Sequence, residues 1–185
     1  LTRSSAASDV YKRQVLMLTS KDIIGILKLN PHPEGGYFKE IYRSKGAIKK
    51  DSLDFITHGD RNYSTSIYFL LNQDDYSAFH RIKQDEIWHF YMGSTLLLHT
   101  INDKGDYKRI RIGNNIMEEE VLQYVVPAGT WFASELENKN EFALCGCTVS
   151  PGFDFNDFEM PEKNQLLKLF PLHEEIINRL GYSKK

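Results

Sequence analysis

The residues most able to do chemistry in this sequence lie together in a short stretch, Ser77 to Gly93. It holds two histidines, His80 and His89, and the adjacent carboxylates Asp85 and Glu86. A histidine and a carboxylate in a half-apolar pocket can exchange protons with a bound molecule, because burial moves their pKa values toward neutrality. We predict that His80 and Glu86 form a catalytic acid/base pair. The alternative is that both merely line a pocket and are satisfied by hydrogen bonds.

His89 is a third catalytic candidate. The apolar and β-branched content of the stretch favours a strand. Strict alternation then places the side chain of Trp88 on the same face of the strand as that of Glu86, and the side chain of His89 on the opposite face. A β-bulge would reverse that orientation. The alternative for His89 is a hydrogen-bonded structural histidine.

Ligand-binding candidates lie elsewhere in the chain as well. Glu34 and Tyr37 flank a proline-framed double glycine, which permits close backbone approach to a ligand or forms a tight turn into an edge strand. Arg43 and Arg81 can each pair with an anionic ligand or with a carboxylate at the surface. Aromatic side chains that could form a pocket for a sugar or nucleobase ring, or belong to the core, are Tyr68, Phe79, Trp88, Trp131 and Phe132.

Two cysteines, Cys145 and Cys147, are spaced so that both point to one face of a strand. We predict buried thiols that pack as small hydrophobic groups. A disulfide framework or a thiolate metal site would need further cysteine partners, which the sequence lacks.

The elements that must position these residues are short strands. They are predicted at residues 37–43, 63–71, 76–82, 86–92, 95–101, 107–112, 121–126, 131–136 and 142–149. Turn signals such as Asn102–Gly105 and Pro127–Gly129 separate most of them. Eight or nine strands with no helix between them predict an antiparallel sandwich or barrel.

Helical periodicity is confined to the two ends. A short helix is predicted to start at an N-cap Ser20, to run through Leu29 and to end at Asn30-Pro31. Two more are predicted between Pro161 and Gly181, packed on the outside of the sheet, with Gly181 as C-cap. Gly152–Phe158 is predicted to be an extended segment whose three phenylalanines cap the barrel. Residues 1–14 are expected to be an adaptor- or vector-derived disordered tail, with the native start at Met17.

Composition limits the function classes. With 185 residues, of which 41% are hydrophobic, the chain is long enough for one well-buried domain and short for two. A net charge of -2 gives no basic surface for a nucleic acid or an anionic membrane. No apolar run approaches the roughly 20 residues of a membrane span. We therefore expect a soluble cytoplasmic protein whose partner is a small molecule.

The spacing His80-x-Ile82-x3-Glu86-x6-Gly93 resembles the first motif of the cupin superfamily, with Ile82 in place of its second histidine. Val121 to Phe132 resembles the second motif through Pro127-Ala-Gly129, with Phe132 in place of a histidine. Further segments, including Pro31–Phe38 and Val149–Phe155, resemble a branch of that superfamily classified as a domain of unknown function. The resemblance implies one RmlC-like cupin domain over residues 17–181, folded as a double-stranded β-helix (jelly roll), with short flanking helices and a homodimeric assembly.

The resemblance also shapes the expected chemistry. Cupin metal centres use three histidines and one glutamate, and here His80 and Glu86 alone occupy those positions, so we expect no bound metal. We expect a small-molecule-binding cupin, with metal-independent isomerase or epimerase activity on a carbohydrate-like or nucleotide-linked substrate as the leading hypothesis, by analogy with RmlC-like sugar-nucleotide epimerases. One alternative is a non-catalytic ligand sensor. Another is a metal-dependent oxygenase or isomerase whose ligand set is completed by Gln123 or His89.

Overall fold

A computed structural model of the chain describes residues 18–55 and 58–184. The expected tail at residues 1–14 and the expected start at Met17 lie outside the described residues. The strands are β1 Asn30–Pro31, β2 Tyr37–Arg43, β3 Ala47–Ile48, β4 Arg61–Asn62, β5 Thr65–Leu71, β6 Tyr76–His80, β7 Asp85–Gly93, β8 Leu96–Ile101, β9 Tyr107–Ile112, β10 Gln123–Val126, β11 Trp131–Leu136 and β12 Ala143–Ser150. The helices are α1 Ser20–Leu27, α2 Lys163–Leu169 and α3 Glu174–Leu180.

The strands form two main antiparallel sheets. The larger has the order β1-β2-β5-β12-β7-β10 and the smaller the order β6-β11-β8-β9, while β3 and β4 form a separate pair. Side chains from both sheets meet in one core, which includes Phe69, Trp88 and Cys145 from the larger sheet and Leu98 and Phe132 from the smaller. The predicted all-β class with short flanking helices, folded as a jelly roll, is therefore confirmed.

Alternation along β11 shows how this core is built. Every residue of Trp131–Leu136 is buried, because the strand is covered on both faces. Phe132 and Leu136 face the core between the sheets, whereas Trp131 and Ala133 pack under Leu166 and Ile177 of the C-terminal helices. The predicted docking of two helices on the outside of the sheet is confirmed, and Gly181 is the C-cap of α3 as expected.

Three local predictions need correction. The N-cap of α1 is Thr19, not Ser20, because Thr19 and Asp22 exchange side-chain and backbone hydrogen bonds in a capping box. Lys28 adopts a left-handed conformation that ends the helix at Leu27. The segment after Gly152 is not extended throughout: Asp154 caps a turn of 3-10 helix over Phe155–Asp157.

Two further expectations concern the edges of the fold and the cysteines. Cys145 and Cys147 are free, buried thiols, as predicted. No described helix is both long and apolar enough to cross a membrane. The edges of the larger sheet are β1 and β10, and the homodimer that would cover such edges stays a prediction.

Candidate functional site

A cavity of about 270 Å³ opens at one end of the space between the sheets. Strands β2, β5, β6, β7 and β12 contribute to its walls, together with residues 153–158, which we call the phenylalanine strap. The polar side chains that line it include His32, Glu34, His80, Glu86 and Cys147. Its aromatic side chains are Phe38, Phe69, Phe153, Phe155 and Phe158.

Glu34 enters this cavity from the tip of the β1–β2 hairpin. The turn is tight because Gly35 has a positive φ and packs so closely on the Tyr76 carbonyl that a Cβ atom would collide with it. The backbone N–H of Ala78 donates to the Glu34 carbonyl at 2.8 Å, and Ser77 Oγ donates to Glu34 Oε1 at 2.8 Å. The double glycine thus forms a tight turn that packs against β6, which is the alternative to close approach by a ligand. This turn also fixes the buried carboxylate of Glu34 beside β6.

Glu34 and His80 form the polar centre of the cavity. His80 Nδ1 lies 2.7 Å from the Ala78 carbonyl, and since a carbonyl oxygen only accepts, Nδ1 carries a hydrogen. In a neutral ring Nε2 is then bare, and it lies 3.2 Å from Glu34 Oε2. Burial lowers the pKa of His80 in spite of the opposing charge of Glu34. Glu34 Oε2 and His80 Nε2 are therefore two adjacent acceptor atoms, and a single proton placed between them would be hydrogen-bonded to both.

His32 is a site residue that the sequence analysis missed. Its Nδ1 lies 3.2 Å from Glu34 Oε2, and its ring stacks on Phe155 with centroids 5.9 Å apart. Burial would raise the pKa of Glu34, but His80, His32 and the hydrogen bond from Ser77 outweigh it and lower that pKa. The sequence feature that could have identified His32 as a site residue is its position two residues before Glu34 in the same proline-rich turn.

Glu86 has the opposite electrostatic character. Burial and the nearby charge of Glu34 raise the pKa of Glu86 to about 8, against a weaker opposing hydrogen bond with Cys147. Burial also raises the pKa of the Cys147 thiol. At pH 7 the cavity therefore holds an ionised carboxylate, Glu34, and a protonated carboxylic acid, Glu86.

The phenylalanine strap is tied down at both ends. Arg43 Nη1 donates to the Phe153 carbonyl at 3.1 Å, and the Phe153 N–H donates to Thr65 Oγ1 at 2.9 Å. At the other end Arg61 forms a buried bidentate pair with Asp157, with bonds of 2.6 and 2.9 Å. The strap is thus held across one side of the cavity, and its three phenylalanines cap the barrel as predicted.

Comparison with known proteins identifies the fold family. A model described as "Cupin superfamily (DUF985)" matches residues 21–161. The chain belongs to the cupin superfamily. It is 33% identical over 149 residues to uncharacterized protein YML079W of Saccharomyces cerevisiae, covering 74% of this chain and 72% of the yeast protein.

Solved structures agree. This cupin is 34% identical to protein SO0799 of Shewanella oneidensis, with a TM-score of 0.82 over 91% of this chain and 100% of that one. It is also 34% identical to a hypothetical protein from Leishmania major, with a TM-score of 0.81 over 89% of this chain and 99% of that one. Oxalate decarboxylase of Bacillus subtilis is 17% identical with a TM-score of 0.51, covers 84% of this chain and 38% of that one, and shares the fold alone.

Several predicted site residues do come together in this cupin. His80, Glu86, Glu34 and Arg43 all line the cavity. Phe132 lies behind them, with its ring centroid 4.1 Å from that of His80. Arg43 is held by Glu40 through two hydrogen bonds of 2.9 and 2.7 Å, so its predicted part in ligand binding would require that pairing to change.

The other candidates lie away from the cavity. His89 is on the face of β7 opposite Glu86, with Nε2 3.1 Å from Thr148 Oγ1, and the bulge between β7 and β12 falls beyond it. Gln123 is exposed on the edge strand β10, opposite His89. Trp88 is buried in the core against Phe69.

Three aromatic candidates and one arginine occupy other surfaces. Tyr37 and Tyr68 pack against Ile23 and Leu29 on the outer face of the larger sheet. Arg81 lies 4.3 Å over the Trp131 ring and pairs with Glu159 at 2.7 Å. None of these four side chains is part of the cavity lining.

The donor set does not fit the metal centre expected of the superfamily. Ile82 lines the cavity and the phenyl ring of Phe132 lies against His80, so hydrocarbon occupies the places where the motifs have histidines. Among residues 18–55 and 58–184, no three or more His, Cys, Asp and Glu side chains are grouped to hold a metal ion. His80 and Glu86 are the two motif positions that keep a possible ligand, and two protein ligands are fewer than a catalytic zinc or iron usually takes. The expectation of a metal-free protein stays a prediction.

Proposed function

We propose that this cupin is an acid/base isomerase or epimerase for a small molecule bound in the cavity. The observation that carries the proposal is that two buried carboxyl groups line one cavity in opposite environments. Glu34 accepts from Ser77 and lies 3.2 Å from the nitrogens of His32 and His80, which lowers its pKa, whereas burial raises the pKa of Glu86 to about 8. Groups whose environments push their pKa values apart supply a base and an acid at one pH.

In the proposed reaction the Glu34–His80 pair is the base. It removes a proton from a carbon next to a carbonyl group, and the C–H electron pair becomes the carbon–carbon double bond of an enol. Glu86 gives its proton to the carbonyl oxygen as that oxygen gains charge. In an isomerisation the pair then returns its proton to the former carbonyl carbon, while the hydroxyl group on the first carbon gives its proton to Glu86 and becomes the new carbonyl. In an epimerisation the enol turns over in the cavity, the pair returns its proton to the other face of the first carbon, and the enol hydroxyl gives its proton back to Glu86. Both routes restore the two side chains. No oxidant is needed.

The size of the cavity favours a compact substrate. Its volume of about 270 Å³ corresponds to about nine water molecules at ~30 Å³ each. A single sugar-sized ring matches such a space better than a complete sugar nucleotide. A carbohydrate-like substrate is therefore better supported than a nucleotide-linked one, because the nucleotide would have to remain outside the cavity.

The test is solvent hydrogen exchange into the natural ligand. The purified protein is denatured, the released small molecule is identified by mass spectrometry, and that compound is incubated with fresh protein in D2O. We expect deuterium in the ligand at one carbon position, and a loss of exchange of at least about 100-fold in Glu86→Gln and Glu34→Gln.

Glu135→Gln is the matched control, because Glu135 belongs to a second buried pair, with His99 Nε2 3.3 Å away, outside the cavity lining. It should leave the exchange unchanged. A bound ligand that gains no deuterium would support the non-catalytic sensor instead and would contradict the proposal.

A further inference from the structure

The walls of the cavity carry an excess of negative charge. Among the described residues, four carboxyl groups line it, from Glu34, Glu40, Glu86 and Asp154, against one guanidinium, that of Arg43. With Glu86 protonated, three carboxylates remain against one cation. The excess stays negative even if one of the two lining histidines holds a proton. A ligand with positive charge would therefore be attracted.

Four of the five N–H groups of the Arg43 guanidinium are already used. Nε and Nη2 donate to Glu40 at 2.9 and 2.7 Å. Nη1 donates to Asn62 Oδ1 at 2.9 Å and to the Phe153 carbonyl at 3.1 Å. Within residues 18–55 and 58–184, no other arginine or lysine lines the cavity to meet an anionic ligand, and such a ligand would face the buried carboxylate of Glu34.

The phenylalanine strap adds a surface that suits an organic cation. Phe155 has ring centroids 5.0 Å from Phe153 and 6.0 Å from Phe158. His32 stacks on one face of its ring, and the residue is 53% exposed at the mouth of the cavity. The face of an aromatic ring is negative, and aromatic groups beside carboxylates attract ammonium groups, above all where water is excluded.

We infer that the cavity binds a small organic cation, whose ammonium group lies between the phenylalanine strap and the carboxylates. The inference rests on the proposed function and adds the charge of the substrate. It excludes phosphorylated and nucleotide-linked compounds from the cavity.

The test compares three probes of similar branched shape: choline, 3,3-dimethylbutan-1-ol and 3,3-dimethylbutanoate, which are cationic, neutral and anionic. Binding to the full chain is measured by ligand-observed NMR titration. We expect choline to bind at least tenfold more tightly than the alcohol, and the carboxylate to bind most weakly. Choline binding that is absent at millimolar concentrations, or no tighter than that of the alcohol, overturns the inference.

A matched pair of variants locates the ammonium group. Phe155→Leu should weaken choline binding at least threefold and leave the alcohol unchanged. Phe142→Leu removes a half-buried phenylalanine outside the cavity and should change neither. Equal effects of Phe155→Leu on both probes, or none, would overturn the placement of the cation at the strap.

The outcome is separable from that of the exchange experiment. An anionic ligand that is released from the protein and gains deuterium would overturn this inference and leave the proposed function standing. Choline selectivity together with a cationic ligand that gains no deuterium would do the reverse.

Discussion

Glu34 Oε2 lies 3.2 Å from His80 Nε2, in a contact between the tip of the β1–β2 hairpin and the last residue of β6. The other nitrogen of His80 donates to a backbone carbonyl, so the nitrogen that faces the carboxylate has no hydrogen while the ring is neutral. Two acceptor atoms are thus held together in a buried site, where a shared proton would be stabilised between them. This relationship is the reason for proposing the pair as the base.

Glu34→Gln separates this role from a structural one. The amide can donate to the bare His80 Nε2 while its oxygen still accepts from Ser77 Oγ, so the hydrogen bonds of the fold are kept. We expect the free energy of unfolding to change by less than about 1 kcal/mol, while hydrogen exchange into the ligand is lost. Urea unfolding and the exchange assay give the two values. Retained exchange in this variant would show that Glu34 is not part of the base.

The strap should depend on its buried ion pair. Asp157→Asn leaves the Arg61 guanidinium without its bidentate partner in a buried position, and we expect it to lower the free energy of unfolding by about 3 kcal/mol or more. Glu40→Gln is the control, because the Glu40–Arg43 pair is more than one-third exposed and its loss should change the stability by less than about 1 kcal/mol. Equal losses would mean that Asp157 has no special part in holding the strap.

Much of the fold was predictable, because the alternation of side chains along a strand shows which residues share a face of the sheet. The limits of β2 and β11 match the sequence prediction residue for residue, and alternation correctly separates the faces of Glu86 and His89. It cannot say which distant segment covers a face. Ser77 and Glu34 are 43 positions apart, and their contact depends on how the hairpin tip folds over β6. For the same reason Trp131 was expected in an aromatic pocket, whereas the C-terminal helices cover it.

The places of the missing metal ligands can be tested by restoring them. Ile82→His with Phe132→His would create a three-histidine, one-carboxylate set with His80 and Glu86, of a kind that binds divalent transition metals. We expect the metal-free double variant to lose on the order of a few kcal/mol, and added Co2+ to recover much of that loss by binding the folded state. Visible absorption of Co2+ reports the ligand geometry. Binding no tighter than in wild type would contradict the motif alignment, and tight binding by wild type would contradict a metal-free site.

The raised pKa of Glu86 also makes stability depend on pH. Between the ordinary value of 4.5 and about 8, the folded state holds a proton on Glu86 that the unfolded state has lost. The free energy of unfolding is therefore not reduced by this group below pH 4.5. It decreases as pH rises from 4.5 to about 8, by a few kcal/mol in total. Glu86→Gln should remove that decrease, which urea titrations at several pH values would measure. A wild-type slope identical to that of the variant would mean that Glu86 is ionised in the folded state.

The most direct test of the acid/base account is the titration of Glu86 itself. In protein labelled with 13C at the glutamate side-chain carboxyl groups, NMR spectra recorded from pH 3 to pH 10 follow each resonance, and the Glu86→Gln and Glu34→Gln variants assign the two in question. If Glu86 is the acid, the resonance lost in Glu86→Gln titrates with a pKa of about 8, while the Glu34 carboxyl group stays ionised at neutral pH. A Glu86 resonance that titrates near 4.5 would contradict the proposed acid/base chemistry, because the cavity would then hold no acid to work with its base.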